Sequence, residues 1–335
     1  MPSGITFTLA AVVVLALCFD FINGFHDTAN SIATTVSTRV LSPKTAIIMA
    51  AILNFVGALV NQSVAGTIAK DLVDNSLINE YVVIAALIAA IIWNLITWYY
   101  AIPSSSSHAL FGAIIGAAIV YTFSIESIKW DGVVKKVLLP LIASPVIGFL
   151  LGYMLMKLLN ILLKPLSHRT VNKWFAKLQI LSAALMSYSH GNNDAQKSMG
   201  IITLALIAAN MNGGKQGTQT WVIFACATAM ALGTSIGGWR IIKTVGLNML
   251  KMEPINGFAA QTGSAMVIET MTYFGAPVST THIISTAVMG VGASKRLSAV
   301  RWAIARNIVW AWVLTIPTTA LIASAVMAIL KLLGL

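Results

Sequence analysis

Two short stretches concentrate most of the chemistry available to this chain: IPSSSSHAL at 102–110 and APVSTTHII at 276–284. Each is a run of hydroxyls closed by a histidine and set in apolar surroundings. Proline suits the first turn of a helix because it has no N–H to leave unsatisfied, and serine or threonine caps the amides exposed there. Pro103 and Pro277 therefore predict a helix that begins at each motif, with the proline in its first turn. Free amides and hydroxyls at a helix start attract anions. Ser104, Ser105, Ser106 and Ser107 facing Ser279, Thr280 and Thr281 would surround a tetrahedral oxyanion with donors. The bland alternative is that these hydroxyls only cap or cross-link packed helices; the duplication and the matched prolines favour the anion. Neither motif contains Arg or Lys, which predicts weak, reversible capture without fixed positive charge.

A second pair of stretches carries carboxylates. GFHDTANS and HGNNDAQKS place Asp27 and Asp194 among Asn23, Asn30, Asn192, Asn193 and Gln196. A charged residue at the centre of a bilayer costs at least about 2.5–3.5 kcal/mol on insertion scales. Asn and Gly are poor helix residues, so the helix is expected to unwind at both places and free carbonyl oxygens. Carboxylate, amide and backbone oxygens together form a hard ligand set for a small cation. An interfacial helix cap is the plainer reading of each aspartate, and the symmetric placement argues against it. Asp20, one turn earlier, reads equally as ligand or aqueous-end residue. Glu269, eight residues before Pro277 in an apolar segment, is a further candidate. His26, His108, His190 and His282 all fall in the repeated motifs and read first as neutral donors of structural hydrogen bonds. Lys197 either pairs with Asp194 or reaches for water.

These islands sit in a chain of 335 residues that is 58% hydrophobic and 9% charged, with mean hydropathy +0.85. A soluble domain carries about 25% charged residues, so this one cannot cover a water-facing surface. Bilayer-spanning runs of about 20 residues are the physical alternative. Apolar runs at 5–24, 45–66, 81–101, 104–123, 137–163, 178–208, 218–238, 257–274, 277–293 and 302–333 predict an all-α integral membrane protein of ten to twelve spans. Residues 5–19 have no basic leader and read as the first span rather than a cleaved signal. Cys18 and Cys226 read as packing residues, and a net charge of +11 reports orientation, not nucleic acid.

Cytoplasmic loops retain Lys and Arg. Placing 37–46, 164–177, 239–256 and 294–306 inside gives thirteen basic residues there, against five in 61–80, 122–136 and 209–219. Both termini then lie outside a plasma (inner) membrane, and the central basic loop is cytoplasmic. Each half crosses an odd number of times, which turns a repeated half upside down. The halves do repeat: 21–35 aligns on 188–202 without gaps, and the first hydroxyl motif aligns on the second. The expected organisation is a first repeat over 1–163, a basic linker over 164–177 and an inverted second repeat over 178–335, with discontinuous or re-entrant helices at the hydroxyl motifs. Such folds are typical of secondary transporters, with sites near the midplane. An intramembrane serine hydrolase fits poorly, since adjacent Ser and His seldom form a nucleophile–base pair and the second copy would be idle. A passive anion channel is the rival from another class.

At HDTANSIATTVSTRVLSPKTA, SHGNNDAQKSMGIITLAL, WNLITWYYAIPSSSSHALFGAIIGA and YFGAPVSTTHIISTAVMGVGASKR the chain resembles the inorganic phosphate transporter (PiT) family, over nearly its whole length. The resemblance implies an inverted-repeat symporter that moves inorganic phosphate inward, driven by sodium in many members and by protons in others. It implies cation and substrate roles for Asp27 and Asp194, and substrate contact at the Ser/Thr motifs. Some sodium-coupled members carry glutamate where this chain has Asn54, and some relatives move sulfate. The expected partners are phosphate, sodium as coupling ion and the lipid bilayer, with no other cofactor and no catalysis; a homodimer is compatible with such a chain.

Overall fold

The computed structural model describes residues 7–71, 79–209, 211–212, 217–248 and 251–335; over these the chain is helical, without strands. The helices are α1 (Phe7–Ser37), α2 (Pro43–Ala58), α3 (Ser63–Asp71), α4 (Glu80–Tyr99), α5 (Ser106–Thr122), α6 (Trp130–Gly132) and α7 (Leu139–Leu162). They continue as α8 (His168–Ala208), α9 (Thr220–Ile236), α10 (Trp239–Ile242), α11 (Pro254–Tyr273), α12 (Thr280–Lys295) and α13 (Trp302–Leu332). Ten have sixteen residues or more, one for each apolar run in the sequence. Their starts follow from local chemistry: Ser42 caps α2 ahead of Pro43, Asn79 caps α4, and Ser167 caps α8. Only residues 163–167 separate α7 from α8, so most of the segment read as a linker, from His168 onward, forms the first turns of α8. The opposite segments 61–80 and 209–219 lie partly outside the described residues.

Polarity is distributed as a bilayer requires. Ile142, Val146, Leu150, Met154, Leu158 and Ile161 run down one exposed stripe of α7 at helical spacing. In water such a patch would drive association; here it is a surface for acyl chains. The interior is where Asp20, Asn23, Asp27, Asn30, Asp194 and Lys197 lie, all buried.

The second half restates the first, with α8 to α13 following the order of α1 to α7. Its helices exchange partners: α1 packs along α9 and α8 along α2, while α5 packs along α13 and α12 along α7. The crossings are tight because glycines face backbone. A Cβ on Gly24 would stand 2.4 Å from the Met230 carbonyl oxygen, and one on Gly233 1.9 Å from that of Phe21. Small residues at such crossings are how membrane helices approach closely.

The direction of these contacts shows the inversion. Along α1, Phe21, Phe25 and Ala33 meet Gly233, Gly238 and Gly246 in turn, so α1 and α9 run parallel. The α1–α2 connection is short, and Ala29, Ile32 and Ala33 cluster with Ala46, Ile47 and Ala50, so α2 runs back along α1. Helix α9 is the second-half counterpart of α2, yet points the opposite way. The repeats are therefore inverted.

The expected breaks at the aspartates do not occur. Helices α1 and α8 pass through GFHDTANS and HGNNDAQKS without interruption. The glycines there serve crossings, since a Cβ on Gly191 would stand 2.1 Å from the Asn54 carbonyl oxygen. Packing outweighs the weak helix propensity of Asn and Gly. Interruptions occur instead at the hydroxyl motifs, between α4 and α5 and between α11 and α12.

Candidate functional site

Helix α5 starts from N-cap Ser105, whose Oγ accepts from the His108 amide at 3.1 Å. Helix α12 starts identically from Ser279, which accepts from the His282 amide at 3.2 Å. Pro103 and Pro277 stand two residues ahead of these caps, not in the first turn. A proline biases the residue before it toward extended backbone, so here it shapes the approach and serine makes the start.

The two motifs meet. Ser107 Oγ donates to the Val278 carbonyl at 3.0 Å, and the His108 and His282 rings touch edge to face at 4.3 Å between centroids. Trp312 of α13 joins them, stacking on His282 at 3.9 Å and donating to the Pro103 carbonyl at 3.0 Å. Ser106 Oγ, Ser285 Oγ and both His108 ring nitrogens are buried without a partner among the described residues.

Both aspartates reach the same place. Thr281 Oγ1 donates to Asp27 Oδ2 at 3.4 Å, and its neighbour Thr280 donates to Asp194 Oδ2 at 3.2 Å. Asn30 Nδ2 donates to both threonines, at 3.3 and 2.9 Å, while its Oδ1 is buried and unpartnered. Asp27, His190 and Asp194 each offer a ligand atom within 4.8 Å of the other two. Asn54 Nδ2 donates to Thr234 at 2.9 Å, and its Oδ1 lies 3.1 Å from His190 Nδ1. That pairing has Nδ1 donate to Asn54 and turns Nε2 toward Asp194 Oδ2, 3.4 Å away. Two carboxylates and a ring nitrogen thus converge on one buried spot, where the Lys197 ammonium offsets part of the charge and a small cation would offset the rest.

On the first-repeat side a chain of hydroxyls links the hydroxyl motif to the carboxylate. Ser104 Oγ donates to Thr97 Oγ1 at 2.8 Å, Thr97 Oγ1 lies 3.0 Å from His26 Nε2, and His26 Nδ1 lies 2.6 Å from Asp27 Oδ1. Thr97 Oγ1 also donates to the Trp93 carbonyl at 3.0 Å. In the second repeat the charge is handled differently. Lys197 Nζ is 2.5 Å from Asp194 Oδ1, 2.5 Å from Ser107 Oγ and 3.2 Å from the Val278 carbonyl. The absence of Lys and Arg from the motifs was therefore misleading: helix α8 carries an ammonium into them.

The remaining amides are engaged nearby. Asn193 Nδ2 donates to Thr272 Oγ1 at 2.7 Å, and its Oδ1 accepts from the Val278 amide at 3.4 Å, which pins the loop before α12. Asn192 donates to Glu269 Oε2 at 3.1 Å. Gln196 Oε1 accepts the Val64 and Ala65 amides at the start of α3. Asp20 Oδ1 accepts from Ser198 at 2.7 Å, whereas Asn23 is buried with neither amide atom partnered among the described residues. Cys18 and Cys226 are free. Sequence reasoning passed over Thr97, Trp312 and Gln261; the last donates to the Ser31 carbonyl at 2.9 Å and ties α11 to α1. Each is one polar group in an apolar run, the only signal available.

Inverted repeats, two capped helix starts in contact and paired buried carboxylates define an oxyanion transporter of the membrane. The family is then specific: the phosphate transporter family model matches residues 23–170 and 164–323, and the chain belongs to that family. It is 51% identical, over 96% of both chains, to a Bacillus subtilis (strain 168) protein named "Probable low-affinity inorganic phosphate transporter". A Rhizobium meliloti (strain 1021) protein of the same name is 46% identical over 94% of each. Among solved structures, one described as "The sodium-dependent phosphate transporter" superposes with TM-score 0.89 at 25% identity, covering 97% of this chain and 99% of its own. The chain is an integral membrane phosphate transporter.

Proposed function

We propose that this chain imports inorganic phosphate together with sodium by alternating access. The observation that carries the reading is convergence: the starts of α5 and α12, Asp27 and Asp194 surround one buried place, each repeat contributing one helix start and one carboxylate. Phosphate takes donors from the first amides of the two helices and from Ser106, with Ser107, Thr280 and Thr281 beside it, whose hydroxyls donate to Val278, Asp194 and Asp27 when no anion is bound. Ser105 and Ser279 hold the caps, and Ser104 anchors the approach to α5. Sodium takes oxygens at Asp27, with Asn30 and Thr281 beside it, and its charge offsets that of the dianion, so the two bind cooperatively. Asn23, Asn192, Asn193 and Gln196 shape the surrounding wall. One set of helices rocks against the other, and the paired repeats supply two equivalent end states. In this reading both termini lie outside, and the turn between α7 and α8 is cytoplasmic.

Radiolabelled phosphate uptake into proteoliposomes, with sodium and pH gradients imposed separately, tests the coupling. Accumulation driven by sodium at equal pH is the expected result. Accumulation driven by a pH gradient without sodium would replace sodium by the proton, sulfate competing at equal strength would widen the substrate, and flux without accumulation would make the protein a channel.

A further inference from the structure

The gap-free alignment of the two aspartate motifs sets Asn30 opposite Lys197, and that of the hydroxyl motifs sets Thr281 opposite Ser107. The contacts obey the same correspondence. Asn30 Nδ2 donates to Thr281 Oγ1 at 2.9 Å, and Lys197 Nζ donates to Ser107 Oγ at 2.5 Å. One position of a symmetric pair thus holds a neutral amide, and the other a cation.

We propose that Lys197 is a tethered counter-ion that takes the place of a transported cation in the second repeat, so that the carrier needs a mobile cation only at Asp27. The ammonium's surroundings are those of a bound hard cation: a carboxylate oxygen of Asp194, the hydroxyl of Ser107 and the carbonyl of Val278. Three acceptors meet the three N–H donors of an ammonium, and Ser107 is free to accept because its own proton goes to Val278. Lys197 is fully buried, so it does not reach for water. The first repeat keeps the complementary arrangement. Among the described residues Asp27 has no lysine beside it and Asn30 Oδ1 is buried without a partner, an oxygen suited to a small cation. A carrier with amides at both positions would hold an exchangeable cation at each aspartate; here one of the two is built into the chain and does not travel with phosphate.

The inference rests on the sodium-coupled reading only for the identity of the mobile ion; the count of charges is independent of it. The test is the net charge moved per phosphate, read from reversal potentials of radiolabelled phosphate flux in proteoliposomes clamped with potassium and valinomycin. Lys197→Asn should carry one more positive charge per phosphate than the wild type, and sodium activation should become steeper. Lys197→Arg, which keeps the charge, should retain the wild-type ratio. An active Lys197→Asn carrier with the wild-type ratio overturns the proposal. Should that variant bind but not transport, equilibrium binding of radioactive sodium to the purified protein decides: one additional sodium per chain supports the tethered counter-ion, and an unchanged number overturns it. Wild-type uptake that ignores sodium but follows pH would defeat the coupling-ion reading alone, with the charge ratio still deciding the role of Lys197.

Discussion

Asp27 and Asp194, separated by 167 positions in the chain, bring carboxylate oxygens within 4.8 Å of each other and of His190. Their compensation is unequal. Asp194 has the ammonium of Lys197 at 2.5 Å; Asp27 has the His26 ring at 2.6 Å and a threonine hydroxyl. Removing one partner of a buried ion pair strands the other and costs about 3–5 kcal/mol. Asp194→Asn should therefore lower the thermal stability of the purified carrier as well as its transport. Asp27→Asn removes no partner of a lysine, so it should fold normally and raise the sodium concentration for half-activation tenfold or more, about 1.4 kcal/mol of lost cation affinity. Sodium titration of uptake beside a melting curve for each variant checks the asymmetry; equal effects of both substitutions on both readouts would contradict it.

The serines of the first motif should separate by role. Ser105 Oγ is committed to the His108 amide at 3.1 Å, while Ser106 Oγ is buried and unpartnered. Loss of a serine N-cap costs about 1 kcal/mol of stability, so Ser105→Ala should show mainly as a lowered melting temperature. Ser106→Ala should leave melting nearly unchanged and raise the KM for phosphate severalfold, because its hydroxyl is free for the oxyanion. Unchanged kinetics in Ser106→Ala would move the phosphate away from the start of α5.

Much of this organisation was legible in residue order. Ten apolar runs became ten helices, and the two alignments exposed the repeat because symmetric folds need matching residues at matching places. What failed shares one cause: it depended on the partner helix. Gly24 and Gly191 looked like helix breakers, yet they serve crossings with α9 and α2, and nothing in their own segments names those neighbours. Lys197 left two destinations open because the acceptor Ser107 lies 90 positions earlier. The prolines were misplaced by two residues for a local reason: proline and serine can each mark a helix start, and the serine hydroxyl, by accepting an amide, decided where.

The proposed orientation rests on the basic residues around the start of α8 and is open to direct measurement. Leu166, in the short turn before α8, and Ile125, between α5 and α6, are both exposed and belong to opposite faces in the proposed topology. With Cys18 and Cys226 replaced by alanine, single cysteines at these positions can be probed in intact cells with a membrane-impermeant maleimide. Ile125→Cys should label at once, and Leu166→Cys only after permeabilisation. The reverse pattern would turn the carrier over.

The crossing of α8 with α2 supports the proposed cation site as well as the fold. An alanine methyl at Gly191 would stand 2.1 Å from the Asn54 carbonyl oxygen and 2.6 Å from the Asn54 Cα, a backbone clash that no side-chain rotation relieves. The helices must separate, and the His190 Nδ1 to Asn54 Oδ1 contact of 3.1 Å stretches with them, freeing the ring that faces both carboxylates. Overpacking of this kind costs about 1–3 kcal/mol. Gly191→Ala should therefore lower the melting temperature and weaken sodium activation together. Gly66, whose added methyl would meet nothing within 4 Å, is the control on α3: alanine there trims the entropy of the unfolded chain and should be neutral or stabilising by up to about 1 kcal/mol. A Gly191→Ala carrier with wild-type melting and wild-type sodium activation would show that the two helices need not approach this closely, and that His190 is not held by Asn54.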